Sequence, residues 1–133
     1  MNLKIFKFEH IILLAFFLTI ILSCKKEIDS KPLAKFVNRI DFGKIKYGQK
    51  IIKSYTIENI SISNIVIHDI KSSCGCTVPK INDSLILPNT AKKINVEYSP
   101  KINDIGKVKQ SIVIKANTNP SFLVLYLEGE VIK

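Results

Sequence analysis

Beyond residue 35 no apolar run keeps helical spacing over three turns, whereas short apolar segments recur between turn signals. That rhythm restricts the chain to strands. The segments fall at Phe36 to Phe42, Ile51 to Asn59, Ile65 to Ile70, Thr77 to Val78, Leu85 to Leu87, Lys92 to Tyr98, Lys107 to Ala116 and Phe122 to Val131. Two of them alternate cleanly: Tyr55 and Ile57 against Ser54, Thr56 and Glu58, and Ile94, Val96 and Tyr98 against Lys93, Asn95 and Glu97. Each therefore has one wet face. Many short, evenly spaced strands in about a hundred residues predict an all-β fold, a single immunoglobulin-like β-sandwich of about seven strands. Its expected core is Phe42, Tyr55, Ile57, Ile65, Ile67, Ile94, Val96, Tyr98, Ile112, Ile114, Leu125 and Leu127. The antibody pattern of two distant cysteines around a tryptophan is absent, because the chain has no Trp.

Ahead of this domain, Lys4 and Lys7 precede a run from Ile11 to Leu22 that is apolar except for Thr19. That is the length of the apolar region of a signal peptide. A spanning helix needs about 20 apolar residues, and extending the run backward meets His10, Glu9 and Lys7. The run ends in Ile21-Leu22-Ser23-Cys24, which resembles a bacterial lipobox. This predicts a signal peptide over residues 1–23, cleavage before Cys24, and acylation of the Cys24 thiol and its new amine. A secretory signal with an incidental cysteine, or an uncleaved anchor, is the alternative. Several acyl chains would make the tether effectively permanent. The predicted address is the cell envelope, with the lipid bilayer as partner through Cys24. Lys25 resembles the sorting signal that sends Gram-negative lipoproteins to the outer membrane. The run Lys25 to Asp29 loosely resembles the surface-export signals of Bacteroidota lipoproteins, so the periplasmic or surface face is open. Residues 24–35 are mostly polar or charged, with Pro32 interrupting, and read as a flexible tether to a domain over 36–133.

One domain is all the mature chain has room for. The leader carries two lysines and one glutamate, so its removal lowers the formal charge from +9 to +8. Every basic residue but Arg39 is a lysine, dispersed among Ile and Asn. Nucleic-acid readers favour clustered charge and the planar fork of arginine, so no nucleic-acid partner is expected. The charge supports weak attraction to acidic headgroups or polyanionic glycans, and the partner class is an envelope protein or a glycan. No Ser-His-Asp grouping and no glycine-rich phosphate loop is present in the sequence. The expected protein is non-catalytic, with no cofactor.

Several segments together resemble a known family: Asp41-Phe42-Gly43-Lys44-Ile45, Tyr47-Gly48, Tyr55 to Asn59, Ser72-Ser73-Cys74-Gly75-Cys76-Thr77-Val78-Pro79, Val96 to Pro100, and Leu127-Glu128-Gly129-Glu130-Val131. Over about residues 36 to 131 the chain is similar to the domain of unknown function 1573, a family of secreted bacterial proteins that includes many Bacteroidota lipoproteins. The resemblance implies an Ig-like fold related to the major sperm protein, and an envelope address, without a reaction. One departure is Pro88-Asn89-Thr90, where the family has Pro-Gly-Glu; Asn tolerates the left-handed conformation, so the turn should survive. Asp41-Phe42-Gly43 reads as a core aromatic before a turn glycine. Leu127-Glu128-Gly129 reads as a glycine that permits a bulge or close backbone approach.

Chemistry, if any, is concentrated at Cys74-Gly75-Cys76. A disulfide here closes a very small loop and so contributes little to folding. It also requires the α-carbons to approach within about 4.4 to 6.8 Å. Three readings are open. The pair is a thiol redox device; or it binds Cu(I) as two soft ligands, with His68 as a third; or the cysteines are small residues packed where a turn enters a strand, beside the hydroxyls of Ser72, Ser73 and Thr77. Zinc would want four ligands, and His68 brings the count to three. Separately, Asp83-Ser84-Leu85 looks like a three-residue Bacteroidota O-glycosylation site, with Ser84 as the acceptor.

Overall fold

The computed structural model describes residues 30–133, so the leader and Cys24 lie outside the described residues. Nine strands follow in order: β1 (Ala34–Phe36), β2 (Arg39–Lys46), β3 (Ile51–Asn59), β4 (Ile65–Ser72), β5 (Thr77–Lys80), β6 (Leu85–Ile86), β7 (Ala91–Tyr98), β8 (Gly106–Ala116) and β9 (Phe122–Ile132). A single 3-10 turn, Ile102–Asp104, interrupts the β7 to β8 connection. The strands form two sheets, β1-β3-β7-β5 and β2-β9-β8-β4-β6. All pairings are antiparallel except that of β2 with β9.

Eight of the nine strands correspond to the segments read in sequence, the short edge Leu85–Ile86 beside Ile65 and Val66 included. The ninth arises because the segment read as one strand from Phe36 breaks at Val37-Asn38, and its two halves join different sheets. The tether is also shorter than the composition indicated. Ala34 and Lys35 pair with Asn59 and Glu58, and the carbonyl of the buried Pro32 accepts a hydrogen bond from Asn119 N–H at 3.1 Å. Other boundaries move by a residue or two. β5 continues through Pro79, which sits on an edge strand where its missing N–H costs no ladder bond.

The alternation read in β3 and β7 orients both strands as expected. Tyr55, Ile57, Ile94, Val96 and Tyr98 are buried, while Ser54, Thr56, Lys93 and Asn95 face water. All twelve expected core residues are buried, and Ile45, Cys76, Ile86, Val108, Ala116, Leu123 and Val131 join them. Tyr55 is wholly inside, and its hydroxyl donates to the Tyr126 carbonyl at 2.6 Å. Burial, then the nearby Glu128 charge, raises its pKa to about 12. Tyr98 is raised as well, first by burial and then by its hydrogen bond to Asp104.

Two of the sequence signatures turn out to be halves of one interlock. On β9 the inward positions run Leu123, Leu125, Leu127, Gly129, Val131, so Gly129 occupies a core-facing slot with no side chain. The Phe42 ring fills that slot: a Cβ built at Gly129 would overlap the ring. Phe42 reaches it because β2 bulges between Asp41 and Lys44. The bulge is held by Gly43 at φ 76°, whose N–H donates to the Asp41 carboxylate at 2.7 Å. From there the ring meets Tyr98 of the other sheet, with centroids 5.5 Å apart. Asn89 has φ 55°, the left-handed conformation that the turn before β7 requires.

Candidate functional site: the Cys-Gly-Cys corner

Ser72 ends β4 in one sheet and Thr77 begins β5 in the other, so the four residues between them carry the chain across the sandwich. Cys74 and Cys76 are joined by a disulfide, with their α-carbons 5.2 Å apart, inside the range that such a bond requires. The polar groups of this corner are tied into hydrogen bonds. Ser73 N–H donates to the Ser111 carbonyl at 2.8 Å and Ser111 N–H returns a bond to Ser73 Oγ at 3.1 Å, which extends the β4 to β8 pairing by one residue. The Ser72 hydroxyl reaches the carbonyls of Cys74 at 2.9 Å and Thr77 at 2.6 Å, spanning the turn from inside. Thr77 N–H donates to the Cys74 carbonyl at 3.2 Å, and Ser99 N–H to the Cys76 carbonyl at 2.9 Å, tying the corner to the end of β7.

The two sulfurs differ in exposure. Cys76 belongs to the core, whereas Cys74 is half-buried at its rim. Cys76 N–H donates to Cys74 Sγ at 2.9 Å, and Cys76 Sγ lies 3.8 Å from the Thr77 hydroxyl. Cys74 is thus the more exposed residue of the pair, while Cys76 is shielded. In the disulfide neither is a thiolate available to a metal ion. Gly75 has no left-handed φ, and a Cβ there would meet nothing within 4 Å.

The structure brings the two cysteines together but does not bring His68 to them. Among the described residues no group of three or more His, Cys, Asp and Glu side chains is placed to hold a metal ion. His68 is exposed on β4 where that strand shifts register between Ile67 and Asp69. It lines an open groove of about 410 Å³ between β4 and the β5 to β6 connection, and the same groove includes Ser84. Ser84 is exposed, and its carbonyl accepts from Ile67 N–H at 2.8 Å. The neighbouring Asp83 carboxylate accepts from Leu85 N–H at 3.0 Å and from the Lys92 ammonium at 2.9 Å. Those two donors hold it below the usual carboxylate range.

A second groove, of about 600 Å³, lies over the bulge and was not legible in sequence. Arg39, Lys44, Lys107 and Lys109 line it together with Asp41, Glu128 and Glu130. Glu128 pairs with Arg39 at 3.5 Å and with Lys109 at 3.2 Å, and Glu130 with Lys44 at 3.0 Å. Charges so paired on an open surface contribute little to stability. The pairing of β9 with β2 on one side and β8 on the other brings these positions together, and nothing local in the sequence announces it.

A family model described as a protein of unknown function (DUF1573) matches residues 35–131. Among solved structures, the chain is similar to a protein of unknown function from Porphyromonas gingivalis W83, at TM-score 0.69 and 12% identity over 76% of this chain and 47% of that one. The human CEP192 ASH/PapD-like domain follows at TM-score 0.62 and 14% identity, covering 84% and 92%. The secreted serine protease VesC of Vibrio cholerae matches at TM-score 0.59 and 10% identity, but over only 23% of its chain. At such identities these likenesses show the fold alone. A curated relative, the cytoplasmic serine–tRNA ligase of Plasmodium falciparum, is 30% identical over 95 residues, and the match spans 15% of that enzyme. None of its activity follows from so small a share.

Proposed function

This chain belongs to the DUF1573 family of proteins of unknown function, and from that premise we propose that it is a non-catalytic, lipid-anchored envelope protein whose Ig-like sandwich serves as a binding or scaffold module. The observation that carries this reading is the construction of the corner. The distinctive hexad Ser72 to Thr77 is consumed in switching the chain between sheets, with Cys76 in the core and Ser72 and Ser73 tied to backbone or to β8. Residues built into a crossover in this way position a domain rather than turn over a substrate. Anchoring through Cys24 follows from the lipobox-like leader. Two assays test the reading. A radiolabelled fatty acid should enter the wild-type chain and not a Cys24→Ala variant, and equal labelling of the two would sink the anchor. In a dithiol oxidation assay the purified chain should give no catalytic turnover, and sustained turnover would sink the non-catalytic reading.

A second reading rests on one specific feature, the half-buried Cys74 sulfur beside a shielded Cys76. An attacking thiolate would form a bond to Cys74 Sγ and displace Cys76 as the leaving thiolate. A second thiol of the same donor would then release Cys74, so that the donor dithiol is oxidised and the pair reduced. Cu(I) handling belongs to the reduced state of this second reading, with Cys74 and Cys76 as its two thiolate ligands.

A further inference from the structure

Three loops and the entry of the chain are hydrogen-bonded into one end of the sandwich. Ile60 N–H donates to the Leu33 carbonyl at 3.2 Å, Asn59 N–H to Thr90 at 2.9 Å, and Asn119 N–H to Pro32 at 3.1 Å. The Asn117 amide donates to the Asn64 carbonyl at 3.0 Å. Asn59, itself buried, donates to Ser63 and Ile86 carbonyls and accepts from Ser61. These bonds turn much of the loops' polar backbone inward. Among the uncharged polar residues left outside, Ser63, Asn64, Asn89, Thr90 and Asn119, stand large apolar side chains: Ile62 is 90% exposed, and Leu33, Ile60, Leu87 and Phe122 are each at least half exposed.

The three loops of this end also lack charge, with Lys31 standing beside them at the entry of the chain. The loops 59–64, 87–91 and 117–121 contain no Asp, Glu, Lys or Arg, in a chain of which 23% is charged. The other end exposes Tyr47 and Ile102 too, but sets them among Lys46, Lys50, Lys101, Asp104 and Lys107. Loops that expose large apolar side chains, carry no charge and pair much of their polar backbone internally suit the interfacial layer of a bilayer, where polar headgroups meet acyl chains.

We propose that this uncharged end rests on the lipid bilayer, with Ile62, Ile60, Leu33, Leu87 and Phe122 entering the headgroup and upper acyl region. The occupant is set by where the chain goes. The domain is entered at this end, through Pro32 and Leu33, and nine residues upstream stands Cys24, directly behind the apolar run Ile11 to Leu22. Nine residues reach at most roughly 30 Å. A bilayer that holds the leader or an acylated Cys24 is therefore within reach of this end. The proposal rests on the anchoring reading above and adds an orientation to it. The Cys74–Cys76 corner, tied to Ser99 at the end of β7, then sits toward the half of the sandwich away from the membrane.

The absence of tryptophan supplies the test. The full chain is recovered from membranes and reconstituted into phosphatidylethanolamine–phosphatidylglycerol vesicles carrying brominated acyl chains. Single variants Ile62→Trp and Phe122→Trp report on the uncharged end, and Tyr47→Trp and Ile102→Trp on the other; all four positions are exposed, so folding is little affected. The proposal predicts blue-shifted emission and several-fold greater quenching for the first two. Equal quenching at both ends overturns it. So does an Ile62→Trp emission shift that grows with protein concentration in the absence of vesicles, which would assign the face to a second copy of the chain. Mass spectrometry of the Cys24 peptide from the same sample reads the anchor separately. Acylated Cys24 without the contrast between ends removes the docking and keeps the anchor. Unmodified Cys24 with the contrast removes the acyl anchor and keeps the docking. A chain that does not float with the vesicles overturns both.

Discussion

Replacing Gly129 with Ala should be among the most damaging single-methyl additions to this domain. The new Cβ would point into the slot that the Phe42 ring fills and overlap three of its ring carbons. Gly129 is not in a left-handed conformation, so the cost is steric rather than conformational. Overpacking a filled core costs about 1 to 3 kcal/mol, and displacing the ring instead forfeits burial worth about 1.5 to 3 kcal/mol. Either route predicts a loss of roughly 2 to 3 kcal/mol. In a Phe42→Ala background the slot is empty, and the same methyl should be neutral or should stabilise the strand by about 0.5 to 1 kcal/mol, since Gly is a poor strand residue. The coupling between the two sites is then about 2 to 4 kcal/mol, well beyond what independent sites show. Equilibrium urea unfolding of the wild type, both single variants and the double variant measures it, with unchanged m-values as the check that the unfolded state is not altered. A Gly129→Ala loss below half a kcal/mol, or the same loss in both backgrounds, would refute the interlock.

Four further outcomes follow. Gly75→Ala should leave stability within about 0.5 kcal/mol of wild type, because nothing lies within 4 Å of the added methyl; a larger loss in urea unfolding would contradict the open geometry at the corner. Ser72→Ala should cost about 1 to 2 kcal/mol by the same measurement, since two turn carbonyls lose their hydroxyl donor. Reducing the disulfide should lower stability by only about 1 to 2 kcal/mol, because so short a loop restrains the unfolded chain little; global unfolding on reduction would contradict this. The Tyr55 pKa is raised to about 12 in the folded state against about 10 in the unfolded chain. Its contribution is therefore fully present below pH 10 and lost as pH rises from 10 to 12. Unfolding midpoints of Tyr55→Phe should fall less steeply than wild type across that window, and parallel slopes would contradict the assignment.

The sandwich was legible because its strands carry their own facing. Tyr55 and Ile57 alternate with Ser54 and Thr56, and a period of two can be satisfied only one way when one side is buried. Asn89 was legible because its left-handed turn has a local chemical signature. What sequence could not show was pairing between distant segments. The break at Val37-Asn38 offers a lone Asn without Gly or Pro beside it, yet it sends Ala34–Phe36 and Arg39–Lys46 to different sheets. The interlock of Phe42 with Gly129 is invisible until the parallel β2 to β9 pairing sets them together. The same holds for the corner: Cys74-Gly75-Cys76 stood out by type and spacing, but that it bridges two sheets is a fact of topology. Residue type alone groups His68 with the cysteines, whereas the fold places it in a groove with Ser84. The uncharged end was present in the sequence as three loops without Asp, Glu, Lys or Arg, a negative signal that acquires meaning only once the loops share one face.

The account turns on whether the Cys74–Cys76 bond is a built-in corner or a reacting centre, and mixed-disulfide trapping asks this directly. A Cys76→Ser variant leaves Cys74, the more accessible of the two sulfurs, without its internal partner. Expressed in its native envelope, a thiol redox protein with this change accumulates covalent adducts with partners in their disulfide form: the Cys74 thiolate bonds to one partner sulfur and displaces the other as thiolate, and the Cys76 thiol that would then release the partner is gone. The present account predicts that the variant runs on non-reducing gels at the position of the single chain. A set of larger bands that collapse to that position on addition of reductant would contradict it.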